Sequence, residues 1–501
     1  MTDGSPRHDL SQRDLSHADG QWAGLRVLVA GLGVSGFAAA DALLERGCRV
    51  IVVDGQEPSD GSAMSERARI LDILGAELRT GAGHVDALPT DTIDLVVTSP
   101  GWPPHQPLLA DAAAHGIPIW GEVELAWRLR PRHGAAPWLT ITGTNGKTTT
   151  VQMLTSMLRA AGLRAISAGN VGTPILEAVL DPEPYDVIAV ELSSFQLHWS
   201  SSLAPQASVC LNVAPDHVDW HGSYDAYLAA KGKVYANTQV ACVYNVQDPQ
   251  TEQLVRDADV QEGCRAIGFT LATPAVSMLG VVDDVLADRA FVEARATTAA
   301  ELGTLDDVRG EAPTAAPHVV ANALAAAALA RAHGIPASAV REGLRQFTPE
   351  PHRIATVATL DGVHYINDSK ATNPHAAAAS LAAYPHVVWV AGGLLKGAEV
   401  DELVAAVTDR LRGVVLLGQD RELIAQALDR HAPDLPVIDI ADTDTGAMDR
   451  IVAAAASLAR PGDVVLLAPA AASMDMFTNY SARGDAFAAA VHRLAATRGD
   501  A

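Results

Sequence analysis

At 501 residues the chain is longer than one hydrophobic core usually organises, and three domains are the expectation. Apolar residues make up 49% with only 5% aromatics; the excess is alanine and valine, which suits helices packed on parallel sheets and sets the class as α/β. Against 36 Lys and Arg stand 59 Asp and Glu, a net charge of −23 whose field repels phosphate backbones and anionic surfaces, so neither nucleic acid nor membrane is an expected partner.

Residues 1–22 are polar and lack the apolar stretch of a signal peptide, and they read as a disordered tail on a cytoplasmic protein. The first domain is expected over residues 23–135. It opens on LRVLVAGLGVSGFAAADALLERGCRVIVVD, where a buried strand from Leu25 to Ala30 meets Gly31, Gly33 and Gly36, a helix follows, and a second strand ends at Asp54. This is a G-x-G-x-x-G in its βαβ setting, and taken alone it reads as a dinucleotide site. Downstream, the strand IDLVVTSPGWPP ends in a turn at Gly101, where a doubly wound sheet keeps its ligand groups.

The second domain, expected over 136–348, opens on WLTITGTNGKTTT. It delivers a phosphate-binding loop in a shortened form, because the usual loop carries a glycine where this chain has Ile141. Backbone N–H groups from Thr144 to Lys147 suit a triphosphate, with Lys147 on its outer phosphates and Thr148 on Mg²⁺. Glu191 follows the strand DVIAV and reads either as a metal-binding acid or as a helix N-cap. His217, within the strand-like ASVCLNVAPDHVDWHG, lies just past a strand, where a lone histidine is more often hydrogen-bonded structure than a ligand. Lys231 sits mid-helix in SYDAYLAAKGKVYANT between Tyr227 and Tyr235. It either snorkels to solvent or is a half-buried amine able to take up CO₂ as a carbamate. Residues 271–317 read as hairpins and loops, and HVVANALAAAALARAHG as a helix.

FTPEPHR, with two prolines, reads as a linker into a third domain over 349–501 that again alternates strands and helices. Asp368, Ser369, Lys370, Thr372 and Asn373 crowd one strand end, Lys396 follows VVWVAGG, and Ser473 follows DVVLLAPAAA. Three such ends in one parallel sheet, two of them with a lysine, point to an anion site. The cysteines Cys48, Cys210, Cys242 and Cys264 are scattered and read as buried thiols rather than a disulfide or zinc framework.

In order along the chain, GTNGKTTT, GNVG (Gly169 to Gly172), ELSSFQL, NVAPDHVDWHG, AAKGKVY, ANALAAAALA, PHR, INDSKATN, GGLLKG and APAAASMD resemble the Mur ligases, over a span from about Leu25 to Phe487. ELSSFQL and INDSKATN, beside an N-terminal G-x-G-x-x-G, resemble the branch that adds D-glutamate. The resemblance implies an ATP-driven amide ligase of peptidoglycan precursor synthesis, and so of cell shape and division. It implies a Rossmann-like N-terminal domain for the UDP part of UDP-N-acetylmuramoyl-L-alanine, a central P-loop-type ATPase domain, and a Rossmann-like C-terminal domain. UDP-substrate binding would fall to Gly33, Val34, Ser35, Gly36, Asp54, Gly101 and Asn170. ATP binding would fall to Gly143, Thr144, Asn145, Gly146, Lys147, Thr148 and Thr149, with Asn322 on adenine, Arg353 on phosphates and Asp368 on ribose. Lys370, Thr372, Lys396, Ser473 and Tyr480 would surround D-glutamate. Two Mg²⁺ ions would be held by Thr148, Glu191, His217 and a carbamylated Lys231, and the chain would act as a monomer. Gly55 and Gln56 depart from the threonine and arginine that some relatives place beside uracil. Ala468 replaces a common serine, and Tyr480 stands where phenylalanine is frequent. Two other readings remain: a sister ligase that takes another amino acid, and an NAD-dependent dehydrogenase fused to a P-loop module. The latter leaves Glu191, His217, Lys231 and the third-domain lysines without a role.

Overall fold

Alternating apolar strands and alanine-rich helices build three sheets of the expected α/β class; the structure, a computed structural model, describes residues 9–310, 312–442 and 446–499. The chain forms two compact units. The first comprises residues up to Val281 with Ala287–Leu302 and Leu324–Gly343, and the second Val282–Leu286, Gly303–Ala323 and the chain from Leu344 onward.

The first unit contains a five-stranded sheet of β1 (Arg26–Ala30), β2 (Arg49–Asp54), β3 (Glu77–Thr80), β4 (Leu95–Thr98) and β5 (Ile119–Gly121), in the order β3-β2-β1-β4-β5. All its pairings are parallel. β1 and β4 are buried along their whole length, as strands covered on both faces must be. The order reverses beside β1, which puts the glycine turn after that strand at the switch point where such sheets bind ligands. Gly36 is obligatory there, since a Cβ on it would lie 1.8 Å from the Gly31 carbonyl oxygen.

The structure corrects the expectation of a disordered tail over its described part. Leu10–Gln12 form a 3₁₀ turn, Leu15 and Trp22 are buried, and the Ala18 N–H donates to the Arg130 carbonyl at 3.0 Å. Trp22 meets Trp120 edge-on with ring centroids 6.4 Å apart. The polar composition hid two apolar anchors, and residues 1–8 lie outside the described residues.

The second sheet comprises β6 (Trp138–Thr142), β7 (Ala165–Gly169), β8 (Val187–Glu191), β9 (Ala207–Cys210), β10 (Ala241–Asn245), β11 (Arg265–Phe269), β12 (Met278–Val282), β13 (Val285–Asp288) and β14 (Ala300–Thr304). Its order is β14-β13-β12-β11-β10-β9-β6-β8-β7, with β6 paired in parallel to both β8 and β9. The stretch expected as hairpins and loops resolves into β12 to β14 and a short helix, Leu305–Arg309, fastened by a Thr304–Asp307 capping box. Only Ala207–Cys210 of the strand-like segment is a strand; the chain then runs as a loop to the short helix Val218–His221. The following helix, Tyr224–Gly232, ends earlier than expected, so Lys231 lies in its last turn.

Between these two sheets runs the buried helix Glu122–Arg128. The Gly121 N–H donates to the Trp199 carbonyl at 3.0 Å, and the Glu124 carboxylate accepts from the N–H groups of Ser201 and Ser202 at 2.8 and 3.0 Å and from Arg128 Nε at 2.7 Å.

The second unit contains the third sheet: β15 (Ala355–Leu360), β16 (Val363–Asn367), β17 (Val387–Gly392), β18 (Leu411–Leu417), β19 (Val437–Asp439) and β20 (Val464–Leu467), in the order β15-β16-β20-β17-β18-β19. Pairings from β16 to β19 are parallel, and β15 adds an antiparallel edge that the sequence reading did not single out. Cores form on both faces, one around Trp389 and Tyr384 and the other around Val388 and Phe487. The carboxyl ends of β16, β20 and β17 therefore stand side by side.

Candidate active site

β6 delivers Gly143 to Gly146 as a tight loop, and the helix Lys147–Ala160 starts directly after it. Gly143 (φ 149°) and Gly146 (φ 85°) take conformations that a side chain would strain, and of the N–H groups expected for a triphosphate those of Thr144 and Asn145 are engaged by Asn212 instead. Asn212, past β9, clasps this loop: its Oδ1 accepts from the Asn145 N–H at 2.9 Å, its Nδ2 donates to the Asn145 carbonyl at 3.1 Å, and its own carbonyl accepts from the Thr144 N–H at 2.9 Å. Thr144 Oγ1 lies 2.8 Å from the Tyr227 hydroxyl, tying the loop to the helix of Lys231. The Lys147 Nζ donates to the carbonyls of Gly143 and Thr144 at 2.8 and 3.0 Å, so its charge is held over the loop. Thr149, one residue past Thr148, is half-buried.

Glu191 is the last residue of β8 and is 1% exposed. Its Oε2 accepts from Thr148 Oγ1 at 2.9 Å and its Oε1 from Asn170 Nδ2 at 2.9 Å. The helix that follows is capped by Ser193 and Gln196, so Glu191 is not the N-cap that one reading allowed. Gly169 (φ 107°) lets the chain pass Glu191, since a Cβ there would meet the Glu191 carbonyl oxygen at 2.3 Å.

His217 takes φ 50°, outside the usual range for its type, and its half-exposed ring packs on Phe195 at 4.7 Å between centroids and lies 3.5 Å from an Asp216 carboxylate oxygen. Burial lowers its pKa, aided by the charges of Lys147 and Lys231 against the pull of Asp216. Lys231 is 2% exposed, with Nζ 4.7 Å from the centre of the Tyr227 ring and, among the described residues, no hydrogen bond or ion pair. Burial, and next the charge of Lys147, lower its pKa to about 7. Of the two readings, snorkelling to solvent and burial, the structure decides for burial.

Hard oxygen donors suit Mg²⁺, and Thr148 and Glu191 present a hydroxyl and a carboxylate side by side at the mouth of a phosphate loop. Among the described residues no three His, Cys, Asp or Glu side chains cluster in a metal-binding group. A lysine and a threonine in the expected ligand set make that consistent with the expected chemistry, because neither is one of those residue types.

In the five-stranded sheet, Gly33 is exposed and a Cβ on it would meet nothing within 4 Å, which leaves backbone open beside the exposed Val34. Ser35 faces the Glu122 carboxyl, whose pKa is raised by burial against that hydrogen bond. The Asp54 carboxylate accepts from the Leu32 and Gln56 N–H groups at 2.8 and 2.9 Å, fastening the glycine turn. Gly101 is exposed in the turn after β4, and Ser99 Oγ nearby is buried without a hydrogen-bond partner.

Asn322 is 6% exposed in the helix Pro317–Ala332. In the second unit, Arg353 Nε lies 3.5 Å from Glu350, between His352 (φ 67°) and Ile354 (φ 51°), a strained stretch pinned by the Ile354 N–H on Asp368 and the Lys370 N–H on the His352 carbonyl. Asp368, buried and accepting from the Ser380 hydroxyl, has its pKa pushed up to about 6 by burial. Lys370 Nζ sits 4.1 Å from the centre of the Tyr480 ring. Thr372 is half-buried, Ser473 is buried, and Lys396 is exposed at φ 53°. Sequence reasoning missed Asn212, the Tyr227 hydroxyl and Arg483. The last lies 1% exposed among Ser369, Gly392 and Ala471, and its one sequence signal is an arginine flanked by Ala482 and Gly484 at a helix start.

A nucleotide loop backed by a buried carboxylate and asparagine, in a chain that carries two further α/β sheets, points to an ATP-utilising ligase. Family profiles agree along the chain: the Mur ligase MurD-like N-terminal domain matches residues 25–121, the Mur ligase middle domain 141–330, and the Mur ligase glutamate ligase domain 352–471. The chain belongs to the Mur ligase family. Among curated relatives, the UDP-N-acetylmuramoylalanine–D-glutamate ligase of Streptomyces avermitilis is 61% identical over 95% of this chain and 99% of its own. Those of Streptomyces coelicolor and Thermobifida fusca are 59% and 57% identical, covering 95% and 94% of this chain and 99% of each relative. Among solved structures, a UDP-N-acetylmuramate-alanine ligase from Thermotoga maritima shares the fold at TM-score 0.52 and 17% identity, over 94% of this chain and all of the other. No helix among the described residues is long and apolar enough to cross a membrane.

Proposed function

We propose that the chain is the ATP-dependent ligase that adds D-glutamate to UDP-N-acetylmuramoyl-L-alanine in peptidoglycan precursor synthesis. The observation that carries this reading is the buried Glu191 carboxylate bridging Thr148 of the phosphate loop and Asn170 of the GNVG turn, which joins the nucleotide loop to an acceptor-side residue. The names of its relatives support the choice of substrates.

The acceptor's terminal carboxylate attacks the γ-phosphorus of ATP, releasing ADP and forming an acyl phosphate; the amine of D-glutamate then adds to the acyl carbon, loses a proton and expels phosphate. Lys147 offsets the charge that would otherwise repel the first attack, and the start of the helix Lys147–Ala160 faces the phosphates. Asn170 orients the acceptor, and Lys370 and Ser473 present the amino acid. Thr148, Glu191, His217 and a carbamylated Lys231 would hold two Mg²⁺ ions. When bound, these ions supply Lewis-acid neutralisation of phosphate charge. A carbamate is called for because an uncharged or cationic amine offers a hard cation no anionic oxygen.

The test is phosphate release from ATP with the UDP acceptor and, in turn, D-glutamate, L-glutamate, L-alanine or meso-diaminopimelate. Release that requires both the acceptor and D-glutamate is the expected outcome. Release with another amino acid moves the chain to a sister activity, and release with none of them rejects the ligase reading.

A further inference from the structure

Five residues implied for the amino acid stand on four separate segments of the second unit. Lys370 and Thr372 follow β16, Lys396 follows β17, Ser473 follows β20, and Tyr480 opens the helix Tyr480–Arg498. These segments are far apart in sequence, and backbone bonds join them only pairwise: Leu394 and Ala472 exchange N–H to carbonyl bonds at 2.8 and 2.9 Å, and the Ala470 N–H donates to the Ala371 carbonyl at 3.0 Å. Arg483 meets the rest. Its Nε donates to Ser369 Oγ at 3.0 Å and its Nη2 to the Ser369 carbonyl at 2.9 Å; its Nη1 reaches the carbonyls of Ala471 at 3.1 Å and Gly392 at 3.4 Å. Ser369 Oγ in turn donates to the Tyr480 carbonyl at 2.7 Å, closing the ring of contacts on the helix that carries Arg483 itself.

Two glycines make room for this arrangement. A Cβ on Gly393 would lie 3.2 Å from Nη1 and 2.1 Å from the Ala472 carbonyl oxygen, and one on Gly392 would strike the Leu417 carbonyl oxygen at 1.8 Å. Among the described residues the guanidinium has no carboxylate in ion-pair range, so a nearly fully buried cation is satisfied by three carbonyls and one hydroxyl alone. Such a group is costly to keep and is held only where its whole fork of donors is used. A planar fork reaches several segments at fixed angles; an ammonium does not.

We infer that Arg483 is the positioning residue of the amino-acid site, fixing the loops of Lys370, Lys396 and Ser473 and the helix start at Tyr480 in one mutual geometry. The inference rests on the proposed ligase reading for the identity of the amino acid. Asp368 is held separately, by Ser380 and the Ile354 N–H, so the nucleotide side of the same strand end does not depend on Arg483.

The experiment is steady-state kinetics on Arg483→Lys and Ser369→Ala beside the unaltered enzyme, varying ATP, the UDP acceptor and the amino acid in turn, with circular dichroism to check folding. Both variants are expected to raise KM for D-glutamate, Arg483→Lys by about tenfold or more and Ser369→Ala by less, with KM for ATP and the UDP acceptor within about twofold. Unchanged KM for the amino acid in folded variants, or equal rises for all three substrates, overturns the inference. If Arg483→Lys does not fold, Ser369→Ala decides by the same criteria. If the unaltered enzyme uses a different amino acid, the ligase reading is what fails, and the positioning role is judged on the KM of the amino acid that it does use.

Discussion

The buried Glu191 side chain has both oxygens satisfied, because Thr148 and Asn170 each donate to one of them, and a buried acid without such partners would be costly to keep. Lys231 is the opposite case: it is equally buried, yet among the described residues its ammonium has no hydrogen bond or ion pair, with the Tyr227 ring beside it and Asp216 and Glu191 acting only from longer range. That imbalance is what a carbamate would relieve, by placing an anionic oxygen group where the bare amine has no partner. Lys231→Ala is expected to lower phosphate release about a hundredfold, with part restored by millimolar acetate or another small carboxylate. Full activity of the unsupplemented variant would remove Lys231 from the site. At this scale the sequence showed which residue types were present but not their partners. GTNGKTTT revealed Lys147 and Thr148 by spacing, whereas nothing local connected Asn212 with Asn145 or Arg483 with Ser369 and Ala471.

Two strand-to-helix turns do related work by different means. After β6 the loop is short, and it turns through positive φ at Gly143 and Gly146 with its Thr144 and Asn145 N–H groups held by Asn212. After β1 the requirement is close approach: Gly31 lies at φ 103° and Gly36 packs on its carbonyl, while Gly33 faces open space. The two flanking glycines are therefore structural and the middle one is free for a ligand. Gly36→Ala should lower stability by about 2–3 kcal/mol, because its Cβ overlaps backbone that cannot move aside, and Gly33→Ala should stay within about 0.5 kcal/mol. Urea unfolding of the two variants checks this, and equal losses would contradict the division of roles. The G-x-G-x-x-G pattern was legible in the sequence. Its reading as a dinucleotide site was set aside by family resemblance, since the Asp54 carboxylate, which such a site turns to a ribose, fastens the Leu32 and Gln56 N–H groups in the structure.

Each of the three sheets has the residues proposed for binding beyond its strand ends, and cationic groups such as Lys147, Lys370 and Arg353 stand there as local exceptions to the excess negative charge. In the first unit the two sheets are joined through Glu124. Burial raises its pKa, but the Ser201 and Ser202 donors and the Arg128 charge outweigh this and leave it below the ordinary value of 4.5. A depressed carboxyl contributes stability above its unfolded pKa and loses it as pH falls through the folded value. The joint should therefore weaken as pH drops below about 4.5, and Glu124→Gln, less stable at neutral pH, should show a shallower acid decline. Thermal unfolding of both proteins from pH 7 to pH 3 is the measurement, and parallel declines would exclude Glu124 as a source of the acid sensitivity.

The amino-acid sequence by itself determined the α/β class, most of the strands, the shortened phosphate loop and the family, because apolar periodicity, glycine conformations and contiguous motifs act over a few residues. Only the tertiary structure decided that Asn170 meets Glu191, that Asn212 clasps the loop, that Lys231 is buried, and that Arg483 links four segments. The physical reason is sheet order. Side chains from the ends of β7, β8 and β6 become neighbours because those strands lie side by side, and strand adjacency is settled by how whole buried faces pack.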